Sequence, residues 1–258
     1  MYATCFGFTT DIGGAHIART LMLDELEAVL AYVDDTGAGQ EAYRAAIEDD
    51  NCLGKRSVQA RKLTRRHLFS LYALDPDVTL FKALLFFWSR DGAGQPLLAL
   101  LCAFARDAVL QQSAPFILGL KDGETITRED TEAFFENLDP NRFSKATLKS
   151  VAQNINGTWT RSGHLVGHVR KARMRVQVTA GAVSYALLLG YLCGIRGQEL
   201  FRSPYIKLLD CSMSRAMELA EDASRRGWIV LKRVGDVVEV LFPNLLNAQE
   251  QEWIREQG

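Results

Sequence analysis

Apolar residues recur at intervals of three and four along most of this 258-residue chain, and this spacing constrains the fold more than any other feature of the sequence. A helix turns once in 3.6 residues, so side chains spaced in this way lie on one face and can be buried together. In the first half of the chain the spacing predicts helices over residues 15–32, 40–47, 57–74, 79–88 and 96–112. We expect these five helices to pack as a helical domain over residues 1–120.

The next unit combines helices with a hairpin. Thr127 to Asp130 has the pattern of a capping box with Asp in place of Glu, and Ser144 is predicted as the N-cap of the following helix, 144–160. From Val169 onward polar and apolar residues alternate, which predicts a β-hairpin over 163–178. Helix, turn, helix and hairpin is the order of a winged helix, in which the second helix enters a DNA groove and the wing lies along the phosphates. We therefore predict a winged-helix DNA-binding unit over residues 121–180.

Residues 181–258 repeat this outline and end in a C-terminal tail. Helices are predicted at 182–193 and 212–227, with a short one opening at Ser203-Pro204, and WIVLKRVGDVVEVLF (228–242) reads as a hairpin about Gly235-Asp236 with Lys232 opposite Glu239. The last helix is acidic, which would repel phosphates, so this unit is predicted to pack or to bind protein, with minor DNA contacts left open at Arg215, Lys232 and Arg233. The predicted fold class is mainly α, an N-terminal helical domain followed by winged-helix-like units with short β-hairpins.

Charge is divided unevenly along the chain. Residues 140–198 contain 9 lysines and arginines and no aspartate or glutamate, whereas residues 1–139 contain 13 basic and 21 acidic residues and residues 199–258 contain 8 and 10. The formal net charge of -1 hides this basic middle segment. A concentration of cations without carboxylates is typical of a surface that meets phosphates.

The candidate nucleic-acid interface follows from helical phase and strand alternation. One stripe of helix 144–160 is apolar, and the opposite stripe carries Lys, Gln and Asn, which are suited to phosphates and to base edges in the major groove. In the hairpin, alternation turns the basic residues of its second strand outward, and the two histidines are predicted phosphate donors. The predicted binding residues are Lys145, Lys149, Gln153, Asn156, Thr160, Arg161, His164, His168, Arg170, Lys171, Arg173 and Arg175. A secondary phosphate contact is predicted at Arg61, Lys62, Arg65 and Arg66.

Motifs of enzymatic chemistry are missing from the sequence. It has no phosphate-binding G-x-x-x-x-G-K-[ST] loop, no G-x-G-x-x-G after a strand and no G-x-S-x-G elbow. His164 and His168 have the spacing of a zinc pair, but Leu165 replaces the glutamate of a metalloprotease and two glycines disfavour a helix there. We therefore expect no enzyme activity, no metal and no cofactor.

The sequence predicts a cytoplasmic protein. The five cysteines are scattered and form no C-x-x-C pair, the N-terminal residues lack a signal-peptide pattern, and the apolar segment 179–195 is shorter than a bilayer requires. We expect reduced thiols and no membrane partner.

Three segments carry a family resemblance. DNCLGKRSVQARKLTRRH (50–67), PLLALLCAFARDAVLQQSAPFIL (96–118) and RFSKATLKSVAQNINGTWTRSGHLVGHVRKAR (142–173) resemble, in the same order, the BrxA proteins of bacteriophage-exclusion (BREX) defence systems. The resemblance implies a small, helical, non-enzymatic component that binds DNA and is needed beside the methyltransferase, ATPase and phosphatase-like proteins of such systems. It supplies no set of functional residues. This chain is longer than a typical member, and the second hairpin unit is a candidate for the addition.

The leading hypothesis is a double-stranded DNA-binding accessory protein of a phage-defence system. Two alternatives stay open: an assembly scaffold whose basic segment docks an acidic protein partner, and an RNA-binding protein, since the BrxA family has been likened to antitermination proteins. The aromatic side chains that stack on RNA bases are missing from the predicted interface, because Trp159 faces the core.

Overall fold

The structure, a computed structural model, describes residues 2–9, 13–35, 37–235 and 237–255. Within these ranges the chain is mainly helical with short antiparallel hairpins, which confirms the predicted fold class. The α-helices are α1 Leu23–Val33, α2 Gln40–Glu48, α3 Val58–Tyr72, α4 Thr79–Trp88, α5 Gln95–Arg106, α6 Ala108–Gly119, α7 Arg128–Leu138, α8 Lys145–Arg161, α9 Ala180–Leu192, α10 Pro204–Lys207, α11 Met213–Arg225 and α12 Ala248–Arg255. The strands are β1 Thr125–Ile126, β2 Leu165–Val166, β3 Lys171–Arg173, β4 Val230–Val234 and β5 Val237–Leu241.

Two of the predicted N-terminal helices are interrupted. The helix predicted over 96–112 breaks at Asp107, whose backbone is extended and whose carboxylate accepts a hydrogen bond from the Leu110 amide to cap α6 (3.0 Å). The helix predicted over 15–32 becomes a short 3₁₀ helix, Ala15–Ile17, and α1, separated by Met22 in the left-handed backbone region (φ 51°). Residues 18–22, between these two helices, have no regular secondary structure.

Helix α9 lies at the centre of the molecule, against α4, α5, α10 and α11. All of its residues except Tyr191 are buried. The Gly181 amide donates to the Asp91 carboxylate (2.8 Å), and this approach is so close that a Cβ atom on Gly181 would lie 2.4 Å from a carboxylate oxygen. Buried apolar residues from all parts of the chain form one continuous core. The division into units at residues 120 and 180 stays a prediction.

Residues 125–173 combine two helices with a small antiparallel sheet. The chain runs β1, α7, α8, β2, β3, and the antiparallel sheet has the order β1-β3-β2, so the hairpin is joined by a third strand that the sequence had not predicted. Both predicted caps are present: Thr127 and Asp130 form the capping box of α7, and the Ser144 hydroxyl accepts from the Thr147 amide at the start of α8. This unit therefore presents α8 beside the β2–β3 hairpin.

The second hairpin also has the predicted register. Lys232 lies opposite Glu239, with 3.2 Å between Nζ and Oε2, while Val238 and Val240 turn inward. Gly235 is in the turn, and Asp236 lies outside the described residues. Helix α12 then returns to the first half of the chain, where the Glu250 carboxylate accepts hydrogen bonds from Thr79 and Lys82 of α4.

Candidate nucleic-acid interface

Helix α8 buries the predicted stripe and exposes part of the predicted binding face. Leu148, Val151, Ala152, Ile155 and Trp159 are buried. Three of the predicted binding residues, Lys145, Lys149 and Gln153, are exposed, and Ala146 and Ser150 lie beside them on the same surface. The predicted stripe from Lys145 to Thr160 lies at one edge of the exposed surface of α8. Ala146 and Ser150 are exposed on the same surface but were not predicted as binding residues.

Asn156 was wrongly predicted to be an exposed base-reading residue. It is 3% exposed, its Oδ1 accepts a hydrogen bond from Thr131 of α7 (2.9 Å), and its Nδ2 donates to the Thr127 carbonyl (3.4 Å). Helix α7 packs along α8 at this position. The prediction was made from the helical phase of α8 alone and could not include this contact. Thr160 is half-buried and donates to the Asn156 carbonyl (2.6 Å).

The segment 13–20 crosses the C-terminal half of α8. The Asn154 side chain donates to the His16 carbonyl (3.1 Å), and a Cβ atom on Gly157 would lie 3.0 Å from the Thr20 methyl group, so glycine permits the close approach. Arg161 is exposed but forms a two-bond ion pair with Asp24, with both N–O distances 2.7 Å. The uncovered part of α8 is therefore its N-terminal half, the part that contacts base edges in helix-turn-helix proteins.

The tip of the β2–β3 hairpin carries exposed basic side chains. His168 and Arg170 are exposed on either side of Val169, which is 87% exposed. Lys171 is half-buried, its ammonium donates to the Gly167 carbonyl (3.1 Å), and burial lowers its pKa. Arg175 is exposed beyond the end of β3 and lines a groove of about 780 Å³ between α6 and the start of α11.

Arg173 was wrongly placed on the outer face of the hairpin. It is 2% exposed, and its guanidinium donates to the carbonyls of Ile117 (3.1 Å) and His164 (3.3 Å) and to the Asp210 carboxylate (2.6 Å). Lys171 and Arg173 do lie on one face of β3, as the alternating pattern predicts. Lys171 is opposite Ile126 and Arg173 is opposite Leu165, and because both partners are buried, this face is the inner one. The strand ends at Arg173, so the alternation does not extend to Arg175.

His164 was also wrongly predicted as a phosphate donor. It is fully buried with its ring edge-on to Trp159, Nε2 donates to the Leu208 carbonyl (2.7 Å), and Nδ1 lies 2.9 Å from the Ser162 hydroxyl. Burial lowers the pKa of His164 to about 3; the Arg173 charge acts in the same direction and the Leu208 carbonyl opposes it. His164 and Arg173 together join the hairpin to residues 208–210.

This neutral histidine makes the stability depend on pH. The unfolded chain binds a proton on His164 below about pH 6.5, whereas the folded chain does not until pH about 3, so the free energy of unfolding falls as pH decreases between these values. From pH 7.5 to pH 5 we expect His164 to account for about 2 kcal/mol of lost stability. Urea unfolding of wild type, His164→Gln and His168→Gln at both pH values measures it. The loss should shrink in His164→Gln and persist in His168→Gln; an equal loss in all three proteins would contradict the assignment.

The predicted secondary contact divides into two pairs of residues. The Arg61 guanidinium donates to the Glu48 carbonyl (2.5 Å), and Arg65 forms an ion pair with the Glu48 carboxylate, so both are tied to α2. Lys62 and Arg66 are exposed on the other side of α3. Half of the predicted cluster is therefore open to a ligand.

Acidic residues lie beside the β1 edge of the three-stranded sheet. The turn before β1 carries exposed Asp122 and Glu124, and the Glu124 backbone accepts from the Arg173 amide (2.8 Å). Residues 140–198 contain no carboxylate in the sequence, but in the folded chain the acidic turn before β1 lies next to β3 of this segment. Lys145, Lys149 and Arg170 are exposed and form no ion pair with any described residue.

Comparisons with family models, with curated proteins and with solved structures find no match for this chain. Among the residues that the structure describes, no three His, Cys, Asp or Glu side chains are grouped closely enough to hold a metal ion. Over the same ranges no single helix is long and apolar enough to cross a bilayer; α9 and the segment Gly197–Lys207 pass the criteria only as a pair bent by 116°.

Proposed function

We propose that this chain is a non-enzymatic, cytoplasmic, double-stranded DNA-binding accessory protein of a bacterial phage-defence system of the BREX kind. One observation carries the DNA-binding part: the N-terminal half of α8 is exposed, basic and free of acid, and α8 is followed directly by the β2–β3 hairpin, whose tip carries exposed basic side chains. Helices placed in this way in other proteins lie in the major groove.

The residues of this surface suit duplex DNA in distinct ways. Lys145 and Lys149 can neutralise phosphates or contact guanine, and Gln153 can pair with the N6/N7 edge of adenine through two hydrogen bonds. The capped start of α8 adds backbone amides and the positive end of the helix dipole. Arg170 and Arg175 then follow the phosphates on the side of the wing.

The defence role rests on the resemblance to BrxA proteins. In this proposal the other phage-defence proteins are the partners, and the acidic α11 and the β4–β5 hairpin form the surface that meets them. Exposed apolar side chains at the turn of that hairpin, Val234 and Val237, favour protein over DNA there.

Fluorescence anisotropy over a series of salt concentrations tests the proposal. With about four phosphate contacts, the slope of log K against log salt for duplex DNA is expected to be between about -3 and -4. Single-stranded DNA and a hairpin RNA serve as comparison ligands. Tighter binding to either of these than to the duplex, or a slope near zero, would reject duplex DNA as the ligand.

A second candidate function is docking of an acidic protein partner. The observation that favours it is the apolar exposure around the basic surface, at Val166, Val169 and Met174, since a protein interface buries apolar side chains together with charges. A complex with a co-expressed defence protein that survives nuclease treatment and moderate salt, combined with no duplex binding, would favour this candidate.

A further inference from the structure

A groove of about 780 Å³ lies between α6 and residues 204–212, which contain α10 and the residue before α11. Most of its lining is apolar and is supplied by Phe104, Ala114, Pro115, Leu118, Pro204 and Leu208. Pro115 and Pro204 are exposed and Leu118 is half-buried, so apolar surface of the groove is open to solvent. Pockets of roughly 300 to 1,000 Å³ with an apolar lining and a few polar groups are common binding sites of small molecules.

Two cations line the same groove and form no ion pair with any described residue. Arg175, beyond the end of β3, and Lys207, at the end of α10, are both exposed. The acidic residue of the lining, Asp210, is already paired with the Arg173 guanidinium (2.6 Å). Ser212, which caps α11, also lines the groove, so the positive end of that helix dipole adds to the two charges. The groove therefore combines an apolar surface with an uncompensated positive charge.

Buried contacts hold the charged side of the groove in place. The His164 ring donates to the Leu208 carbonyl (2.7 Å), and Arg173 pairs with Asp210, so residues 208–210 are fixed against the β2–β3 hairpin. Arg175 follows Arg173 by two residues and is brought to the groove by the same contacts. A ligand therefore meets a wall whose backbone is already ordered, which reduces the entropy lost on binding.

We propose that this groove binds a small organic acid, whose apolar body covers the α6 side and whose carboxylate pairs with Arg175 and Lys207. The guanidinium can hold a carboxylate through two parallel N–H donors, and the ammonium adds a point charge. A base would be repelled by these two cations, and a neutral apolar ligand would leave them unpaired. This binding goes beyond the proposed function, because it requires no nucleic acid.

The first test compares two probes that share an apolar body and differ in the head group, octanoate and 1-octanol. Isothermal titration calorimetry of the full chain is expected to show a single octanoate site with an affinity about tenfold above that of 1-octanol, because charged hydrogen bonds hold the carboxylate. Equal affinities for the two probes, or no octanoate binding, would overturn the proposal.

The second test removes the two charges. Arg175→Gln/Lys207→Gln is expected to lower the octanoate affinity about tenfold, to the level of 1-octanol, and to leave the 1-octanol affinity unchanged. The matched control is Arg202→Gln/Arg225→Gln, which removes two exposed arginines that already pair with carboxylates, and it should bind octanoate like wild type. Equal losses in the two double variants would mean that net charge controls octanoate binding, and the proposal would fail.

The third test locates the apolar body of the ligand. Leu118→Gln replaces a half-buried leucine of the groove, so the affinities for octanoate and 1-octanol should both fall severalfold. Leu138→Gln, at a leucine of α7 that is 50% exposed, is the matched control and should leave both affinities unchanged. Loss of binding in neither variant would place octanoate outside the groove.

Thiol alkylation of the wild-type chain gives the same location without a substitution in the groove. Cys211 lines the groove and Cys52 does not; both are half-buried, and burial raises the pKa of both thiols. Octanoate should slow the reaction of Cys211 with iodoacetamide and leave that of Cys52 unchanged, as measured by mass spectrometry. Protection by an acidic amphipathic peptide but not by octanoate would assign the groove to a protein segment and overturn the proposal. None of these measurements uses DNA, so their outcome is independent of the proposed function.

Discussion

Changing Lys145, Lys149 and Arg170 together to glutamate is expected to weaken duplex binding by about 200-fold or more at 0.15 M salt. These three side chains are exposed on the free half of α8 and the hairpin tip and form no ion pair among the described residues. Three lost phosphate contacts account for about 160-fold and make the salt slope shallower by about 2.7, and the introduced carboxylates add repulsion. Binding isotherms at three or more salt concentrations give both quantities.

A variant with the same change of net charge provides the control. Arg202, Arg225 and Arg226 are exposed arginines of the second unit that already pair with carboxylates. Their joint change to glutamate should lower affinity far less, through the overall charge alone. Equal losses in the two triple variants would mean that net charge, and not the α8 and hairpin surface, controls binding.

Replacing Arg173 by methionine is expected to lower the free energy of unfolding by about 3–5 kcal/mol. The change removes the ion pair between buried Arg173 and partly exposed Asp210, together with the hydrogen bonds from the guanidinium to the carbonyls of Ile117 and His164. Urea unfolding followed by circular dichroism measures the loss. Arg175→Met is the matched control, because it removes the same side chain two residues away at an exposed position, and its effect should stay within about 0.5 kcal/mol.

The two arginine variants also separate the roles that the sequence assigned to them. Arg175→Met should reduce duplex affinity with little loss of stability, whereas Arg173→Met should reduce stability first. If Arg173→Met unfolded like wild type and bound DNA weakly, Arg173 would be a phosphate contact after all, and its burial would be without consequence for the fold.

Local patterns predicted most of the helices and both hairpins. Helix α4 has the predicted bounds, the capping residues Thr127 and Ser144 are in place, and Lys232 pairs with Glu239. These features depend on neighbours within a few residues, whose spacing in the sequence is their spacing in space. The break at Asp107 was missed because its carboxylate is held by a partner 91 residues away, the His16 amide.

The binding surface was harder to predict for the same reason. Helical phase identified Lys145, Lys149 and Gln153 correctly as exposed, but α7 covers Asn156 and the segment 13–20 covers the C-terminal half of α8. Strand alternation grouped Lys171 with Arg173 but could not say which face is inner, since β1 and residues 208–210 decide that.

The central position of α9 has a consequence for synthesis of the protein on the ribosome. Helices α4 and α5 present apolar faces that α9 covers, and α9 is completed about 70 residues after residue 120. At 5–20 residues per second, these faces stay open for roughly 4 to 14 s after α1 to α6 have been made. We therefore expect nascent chains that stop near residue 120 to be held by chaperones or to aggregate, and full-length chains to escape both fates.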